Sequence, residues 1–108
     1  MNKTENPVAV VTGGSRGIGR AICRELAGEG YRVVVNYHSN GEAAEETLEM
    51  IREQGSRGEI SRFDVANTRE TQEAIGEIIH RYGHIHVLIN NAGIASDGLF
   101  VFMTENEW

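Results

Sequence analysis

Residues Val8 to Ala27 read VAVVTGGSRGIGRAICRELA, and this stretch decides the fold. Val8, Ala9, Val10 and Val11 are a short apolar run rich in β-branched residues, the composition of a strand covered on both faces. From Ile18 the apolar spacing becomes helical. Ile18, Ala21, Ile22 and Leu26 share one face, predicted to point inward, and Arg20, Arg24 and Glu25 fall elsewhere. Thr12-Gly13-Gly14-Ser15-Arg16-Gly17-Ile18-Gly19 joins the two patterns as a glycine-rich turn.

That turn has the chemistry of a phosphate site. The start of a helix carries unpaired N–H groups and the positive end of the helix dipole, and both attract anions. Glycine lets the backbone turn sharply and approach a pyrophosphate with no Cβ in the way. Gly19 also lets the helix pack close to the strand. The spacing is Gly-x-x-x-Gly-x-Gly, neither Gly-x-Gly-x-x-Gly nor a Gly-Lys-Ser/Thr loop. A turn that binds nothing is the alternative, and the later motifs argue against it.

Outward from the turn, composition narrows the classes. The chain has 108 residues, enough for one domain with a core but short for a whole nucleotide-dependent enzyme. Its 40% hydrophobic content is ordinary for a globular chain. No apolar run reaches the ~20 residues of a membrane helix, and the polar start MNKTENP is no signal peptide. The single cysteine, Cys23, reads as a packed helix residue and fits a cytoplasmic setting. A formal net charge of −6 argues against nucleic acid and anionic membranes as partners.

After Gly28-Glu29-Gly30 stops the first helix, Tyr31–Tyr37 reads as a second strand. Ser39…Glu42 has capping-box spacing for a helix to about Gln54, with Ala44, Leu48 and Ile51 inward. Glu42, Glu45, Glu46, Glu49 and Glu53 form its solvated face. Glu59–Phe63 is a third strand leading into Asp64-Val65. Asn67…Glu70 opens a third helix with Ala74, Ile75, Ile78, Ile79 and Tyr82 on one side, and Gly83 ends it. His86–Asn90 is a fourth strand, followed by a loop through Phe100. Thr104…Glu107 announces another helix, and the chain is expected to be the N-terminal part of a longer protein, with strand 4 left at a sheet edge.

The alternation predicts an α/β, doubly wound parallel sheet of Rossmann type, its N-terminal half, with strand order 3-2-1-4. Ligands of such sheets sit at the carboxyl ends of the strands. Here those ends are residues 12–19, 36–39, 64–65 and 90–94, each carrying Gly, Asn, Asp or another small or polar residue.

TGGSRGIGRAI, Asp64-Val65 and NNAGI together resemble the short-chain dehydrogenase/reductase family across essentially the whole chain. Asp97-Gly98-Leu99-Phe100, Met103 and Trp108 look most like the bacterial reductases of 3-oxoacyl-[acyl-carrier-protein], with acetoacetyl-CoA reductases as near relatives. Ser96 departs from that pattern, in which arginine is common. The resemblance implies that Gly13, Ser15, Arg16, Gly17, Ile18 and Gly19 hold the pyrophosphate and adjoining ribose. It implies that Asp64 and Val65 contact adenine, and that Asn90, Ala92 and Gly93 line the nicotinamide-side ribose and brace the sheet. Asn90 and Asn91 also suit a turn at a strand end. The substrate implied is an acyl thioester on acyl carrier protein or coenzyme A, handled by a homo-oligomer, tetramer or dimer.

Charge at the end of strand 2 bears on the cofactor. A carboxylate there accepts from a ribose 2′-OH and repels a 2′-phosphate. The segment is Asn36-Tyr37-His38-Ser39, with no acid, and Arg16 can pair with a phosphate bidentately. NADP(H) is therefore expected, although Arg16 also suits an exposed turn.

The family's catalytic Ser and Tyr-x-x-x-Lys find no match: Lys3 is the only lysine, and Tyr31, Tyr37 and Tyr82 have none four residues on. The chain is thus expected to carry no catalytic residue and to be inactive alone. A module that binds NADP(H) without turnover is the alternative class. A metal site at His80, His84 and His86 is disfavoured, because Gly83 breaks the helix between the first two and no carboxylate or Cys completes the set.

Overall fold

A computed structural model describes residues 6–91 and the backbone of 100–103. The elements are β1 Val8–Thr12, α1 Gly17–Gly28, β2 Arg32–Tyr37, α2 Gly41–Glu53, β3 Gly58–Arg62, α3 Thr68–Tyr82, β4 Val87–Asn90 and β5 Phe100–Met103. They build one sheet in the order β3-β2-β1-β4-β5. β1 pairs in parallel with β2 (Val10 beside Val34) and with β4 (Val10 beside Leu88), and β2 pairs in parallel with β3. The expected order 3-2-1-4 is present.

The fifth strand departs from the reading of this region as a loop beside an open edge. β5 runs antiparallel to β4, Asn90 beside Phe100 and Val87 beside Met103. Phe100-Val101-Phe102-Met103 has strand propensity, and β4 otherwise presents a row of unpaired backbone groups. An antiparallel neighbour needs no crossover helix. The helix expected from Thr104 lies outside the described residues.

Strand periodicity sorts the core into two layers. Ala9, Val11, Val33, Val35, Val87 and Ile89 face α1 and α2, meeting Cys23, Ala27, Ala44 and Ile51. Val8, Val10 and Val34 face the other way, meeting Ile75 and Ile78 of α3 and Ile85. Burying each such aliphatic side chain contributes about 1.5–3 kcal/mol.

α1 corrects the expected inward face. Its buried residues are Gly19, Cys23 and Ala27, whereas Ile18 is 61% exposed and Ala21 is exposed. Ile22 and Leu26 flank the contact, half-buried. Small side chains in the contact line let the helix axis sit close to the sheet; large ones would hold it off. In α2, Ala43, Ala44, Thr47, Leu48 and Ile51 are buried and the five glutamates are exposed. Its N-cap is Asn40, whose side chain accepts from Ala43 N, one residue later than Ser39. Asn67 caps α3 by accepting from Glu70 N at 3.0 Å. Gly83, at φ 89°, ends α3 in a conformation glycine alone adopts without strain.

At the opposite end from the strand carboxyl termini, Glu59 of β3 accepts hydrogen bonds from Arg81 and from the Tyr82 hydroxyl of α3. Arg32 stacks over the Tyr82 ring at 4.8 Å. These contacts fix α3 to the outer strand. No helix among the described residues is long and apolar enough to cross a membrane.

Candidate functional site

The four parallel strands deliver their polar residues to one rim. β1 runs into the glycine turn at Thr12, and Gly13 and Gly17 adopt φ 63° and 60°. An added Cβ at Gly19 would lie 2.0 Å from the Gly13 carbonyl oxygen, so the first turn of α1 closes on the strand end only with glycine there. Ser15 is half-buried; Arg16, Gly17 and Ile18 are exposed. Arg16 is the N-cap of α1, extended at φ −164°, and its side chain makes no cap bond. No acid stands in the first turn of α1 to neutralise the positive helix end.

Asn36 is the hub of the rim. It is 2% exposed. Its Oδ1 accepts from Gly13 N at 3.1 Å and its backbone oxygen accepts from Gly14 N at 3.0 Å. Its Nδ2 donates to the Phe63 carbonyl at 3.0 Å and lies within reach of the Ser61 and Tyr37 carbonyls at 3.2 and 3.3 Å. One amide thus joins the ends of β2 and β3 to the glycine turn, and its side chain is spent on backbone groups. Tyr37 follows, half-buried, and His38 is exposed.

His38 stands beside Asp64, with Nε2 3.8 Å from Oδ2. Asp64 is fixed on every side. Its Oδ1 accepts from Ala66 N at 2.9 Å, its N–H donates to Glu70 Oε1 at 3.0 Å, and its carbonyl accepts from Asn67 N at 2.9 Å. Glu70 therefore reaches back to Asp64, and α3 is capped and the Asp64-Val65 turn held by one cluster. From β4, Asn90 Oδ1 accepts from the Thr12 hydroxyl at 3.1 Å, and Asn91 Nδ2 donates to the Gly13 carbonyl at 3.0 Å. Among the described residues, Asn91 Oδ1 is the buried side-chain oxygen without a hydrogen-bond partner. Ala92 and Gly93 lie outside the described residues.

Two residues to which the sequence reading gives no role at the site, Arg20 and Thr47, brace the turn from behind. Arg20 of α1 donates from Nη2 to the Ser15 carbonyl at 2.8 Å and to the Ala43 carbonyl at 3.0 Å, and from Nε to Thr47 Oγ1 at 2.9 Å. The Thr47 hydroxyl, fully buried, donates to the same Ser15 carbonyl at 3.0 Å. Their partners are 5 to 32 residues away along the chain, which no local periodicity reports. A threonine among glutamates on the inward side of α2 was the one available hint.

Cys23 lies under the turn, its S–H directed to the Gly14 carbonyl at 3.9 Å. Burial pushes the thiol up to about 12, against a smaller opposing pull from Arg20. It is a neutral packing group, as expected. On the α3 side of the rim a groove of about 490 Å³ opens, lined by Thr12, Val65 and Asn90 at the strand ends and by Thr71, Ile75 and Ile79 of α3. Among the described residues no cluster of three His, Cys, Asp or Glu could hold a metal; His84 and His86 sit ring to ring at 5.6 Å.

A parallel sheet with a glycine turn opening α1 at the point where strand order reverses defines a doubly wound α/β nucleotide-binding class of protein. Within that class, the chain belongs to the short chain dehydrogenase family, whose model matches residues 7–108. It is 45% identical over 108 residues to a 3-oxoacyl-[acyl-carrier-protein] reductase of Staphylococcus epidermidis, covering 100% of this chain and 43% of the relative. An acetoacetyl-CoA reductase of Rhizobium meliloti is 41% identical over 101 residues, 94% of this chain and 40% of the relative. A solved short-chain dehydrogenase/reductase of Sinorhizobium meliloti superposes with a TM-score of 0.76 at 33% identity, covering 86% of this chain and 42% of that one. An acetoin dehydrogenase of Salmonella typhimurium gives 0.69 at 34%, covering 76% and 34%. The chain spans less than half the length of these relatives.

Proposed function

We propose that residues 1–108 are the N-terminal, nucleotide-binding part of a single Rossmann-type domain. We infer that its parent is an NADPH-dependent oxidoreductase. It reduces a 3-oxoacyl thioester, carried on acyl carrier protein or coenzyme A, to the 3-hydroxyacyl form in fatty acid synthesis. The identity to a 3-oxoacyl-[acyl-carrier-protein] reductase along the entire chain carries this reading. Acetoacetyl-CoA reduction is the second reading, favoured by the 41% relative.

The site's own features fit a dinucleotide. The turn closes on the strand end through Gly19, where a Cβ would meet the Gly13 carbonyl oxygen, and it ends on an uncompensated helix N-terminus. Gly13, Ser15, Arg16, Gly17, Ile18 and Gly19 hold the pyrophosphate and adjoining ribose; Asp64 and Val65 take the adenine. Asn90, Ala92 and Gly93 line the second ribose. Asn36, Tyr37 and His38 form the wall beside the first ribose, Asn36 acting through the turn because its amide is occupied. A bound nicotinamide supplies the hydride for ketone reduction. This chain's residues bind and orient it, and no side chain here supplies the proton.

The preference for NADPH rests on charge. The end of β2 carries no carboxylate, and Arg16 is exposed at the turn with its side chain free of a cap bond. The parent works as a cytoplasmic homo-oligomer, tetramer or dimer, without nucleic acid or membrane partners. The test is a reading frame that continues past the Trp108 codon and a rate assay of its product. Oxidation of NADPH, faster than of NADH, with a 3-oxoacyl thioester is expected. A frame that ends at Trp108, in a chain that still binds NADPH, supports the non-catalytic binding module instead.

A further inference from the structure

We propose that Arg20 is a positioning residue of the glycine turn. It fixes the Ser15 carbonyl so that the following peptide N–H groups face the cofactor's phosphates. This rests on reading the turn as the phosphate site.

A turn with four glycines, two of them at positive φ, loses much conformational freedom on ordering and needs outside anchors. Asn36 and Asn91 anchor only its first half, at Gly13 and Gly14. The second half is held at the Ser15 oxygen, which accepts from both Arg20 Nη2 (2.8 Å) and Thr47 Oγ1 (3.0 Å). The peptide unit is planar and trans, so the Ser15 C=O and the Arg16 N–H point in opposite directions. A carbonyl drawn toward α2 turns the Arg16 N–H away from α2. Arg20 is itself locked, since its Nε donates to buried Thr47 and its Nη2 also meets the Ala43 carbonyl and Glu46 Oε1. The planar fork reaches carbonyl and hydroxyl together; a lysine ammonium on a flexible stem does not reproduce that geometry. Ala43 and Thr47 lie on α2, which starts at Gly41 directly after the rim residues His38–Asn40.

The test compares Arg20→Met, Arg20→Lys and Thr47→Val in the full chain, by amide hydrogen exchange and by titration with NADPH and adenosine 2′-monophosphate. Arg20→Met should speed exchange of amides 15–19 about tenfold, with β1 and α3 unchanged, and weaken NADPH about tenfold. Arg20→Lys should behave similarly. Thr47→Val, which removes one of two donors with little change of shape, should give about threefold effects and serves if Arg20→Met fails to fold. The monophosphate lacks a pyrophosphate and should bind within about twofold of the parent chain. Unchanged exchange in the turn of a folded Arg20→Met overturns the proposal whether or not nucleotide binds. Equal weakening of both nucleotides, or restoration by lysine, overturns it as well. Exchange that rises as expected in a chain that binds neither nucleotide supports the clamp and removes the phosphate reading of the turn.

Discussion

The two faces of the sheet are built differently. On one face α1 and α2 lie side by side, α1 burying the small residues Gly19, Cys23 and Ala27 and α2 burying Ala43, Ala44, Thr47, Leu48 and Ile51. On the other, α3 is the one helix among the described residues, with Ile75 and Ile78 beneath it and a groove of about 490 Å³ beside it. Among the described helices, those of the crowded face brace the glycine turn, through Arg20, Thr47 and Cys23, while Asn36 and Asn91 hold it from the ends of β2 and β4. Close packing holds a backbone still, and an anion cradle made of N–H groups needs a still backbone. The open face carries no part of that bracing.

The largest expected effect is at the seam of the crowded face. Gly19→Ala places a Cβ 2.0 Å from the Gly13 oxygen. It should cost about 3 kcal/mol or more in denaturant unfolding and abolish NADPH binding. Next comes a matched pair of truncations. Ile51→Ala, fully buried under α2, should cost about 3 kcal/mol, and Ile79→Ala, half-buried beside the groove, about 1. Equal costs would erase the distinction between the faces.

Cys23 gives the crowded face a pH signature. Its thiol titrates near 9 when exposed and near 12 when folded. The native state therefore holds the proton more tightly, and the stability Cys23 contributes is full below pH 9. It declines as pH rises toward 12. Unfolding measured from pH 8 to 11 should lose about 2 kcal/mol more in the parent chain than in Cys23→Ala. The smallest effect belongs to the open face. Gly76 sits inside α3, exposed, and an added Cβ meets nothing within 4 Å. Gly76→Ala should stabilise by about 0.5–1 kcal/mol, seen as a higher Tm.

The same asymmetry explains what could be read from the sequence. The β1–turn–α1 unit, the order of four strands and the caps at Asn67 and Gly83 follow from local patterns, because each rests on neighbours in the chain. The face of α1 was misread because large apolar residues are taken to point inward, whereas the close helix–sheet contact selects Gly19, Cys23 and Ala27. Asn36 is legible as a polar residue at the end of β2, but its bonds to the glycine turn and to Phe63 are long-range and leave no local pattern. The bonds of Arg20 and Thr47 to one another and to the turn cross between helices, so local periodicity reports neither, and an inward threonine among glutamates is the one hint. Phe100–Met103 has strand propensity, but its antiparallel pairing with β4 is a long-range contact that the residue pattern alone does not specify.

The decisive measurement is a calorimetric titration of this chain with NADPH and, separately, with NADH, repeated in Arg16→Ala. Tighter binding of NADPH, lost in Arg16→Ala, is the expected result, with the rim folded as a cofactor site and its charge set for a 2′-phosphate. Tighter binding of NADH would contradict the cofactor assignment and leave the fold intact; binding of neither would contradict the claim that these 108 residues hold the site.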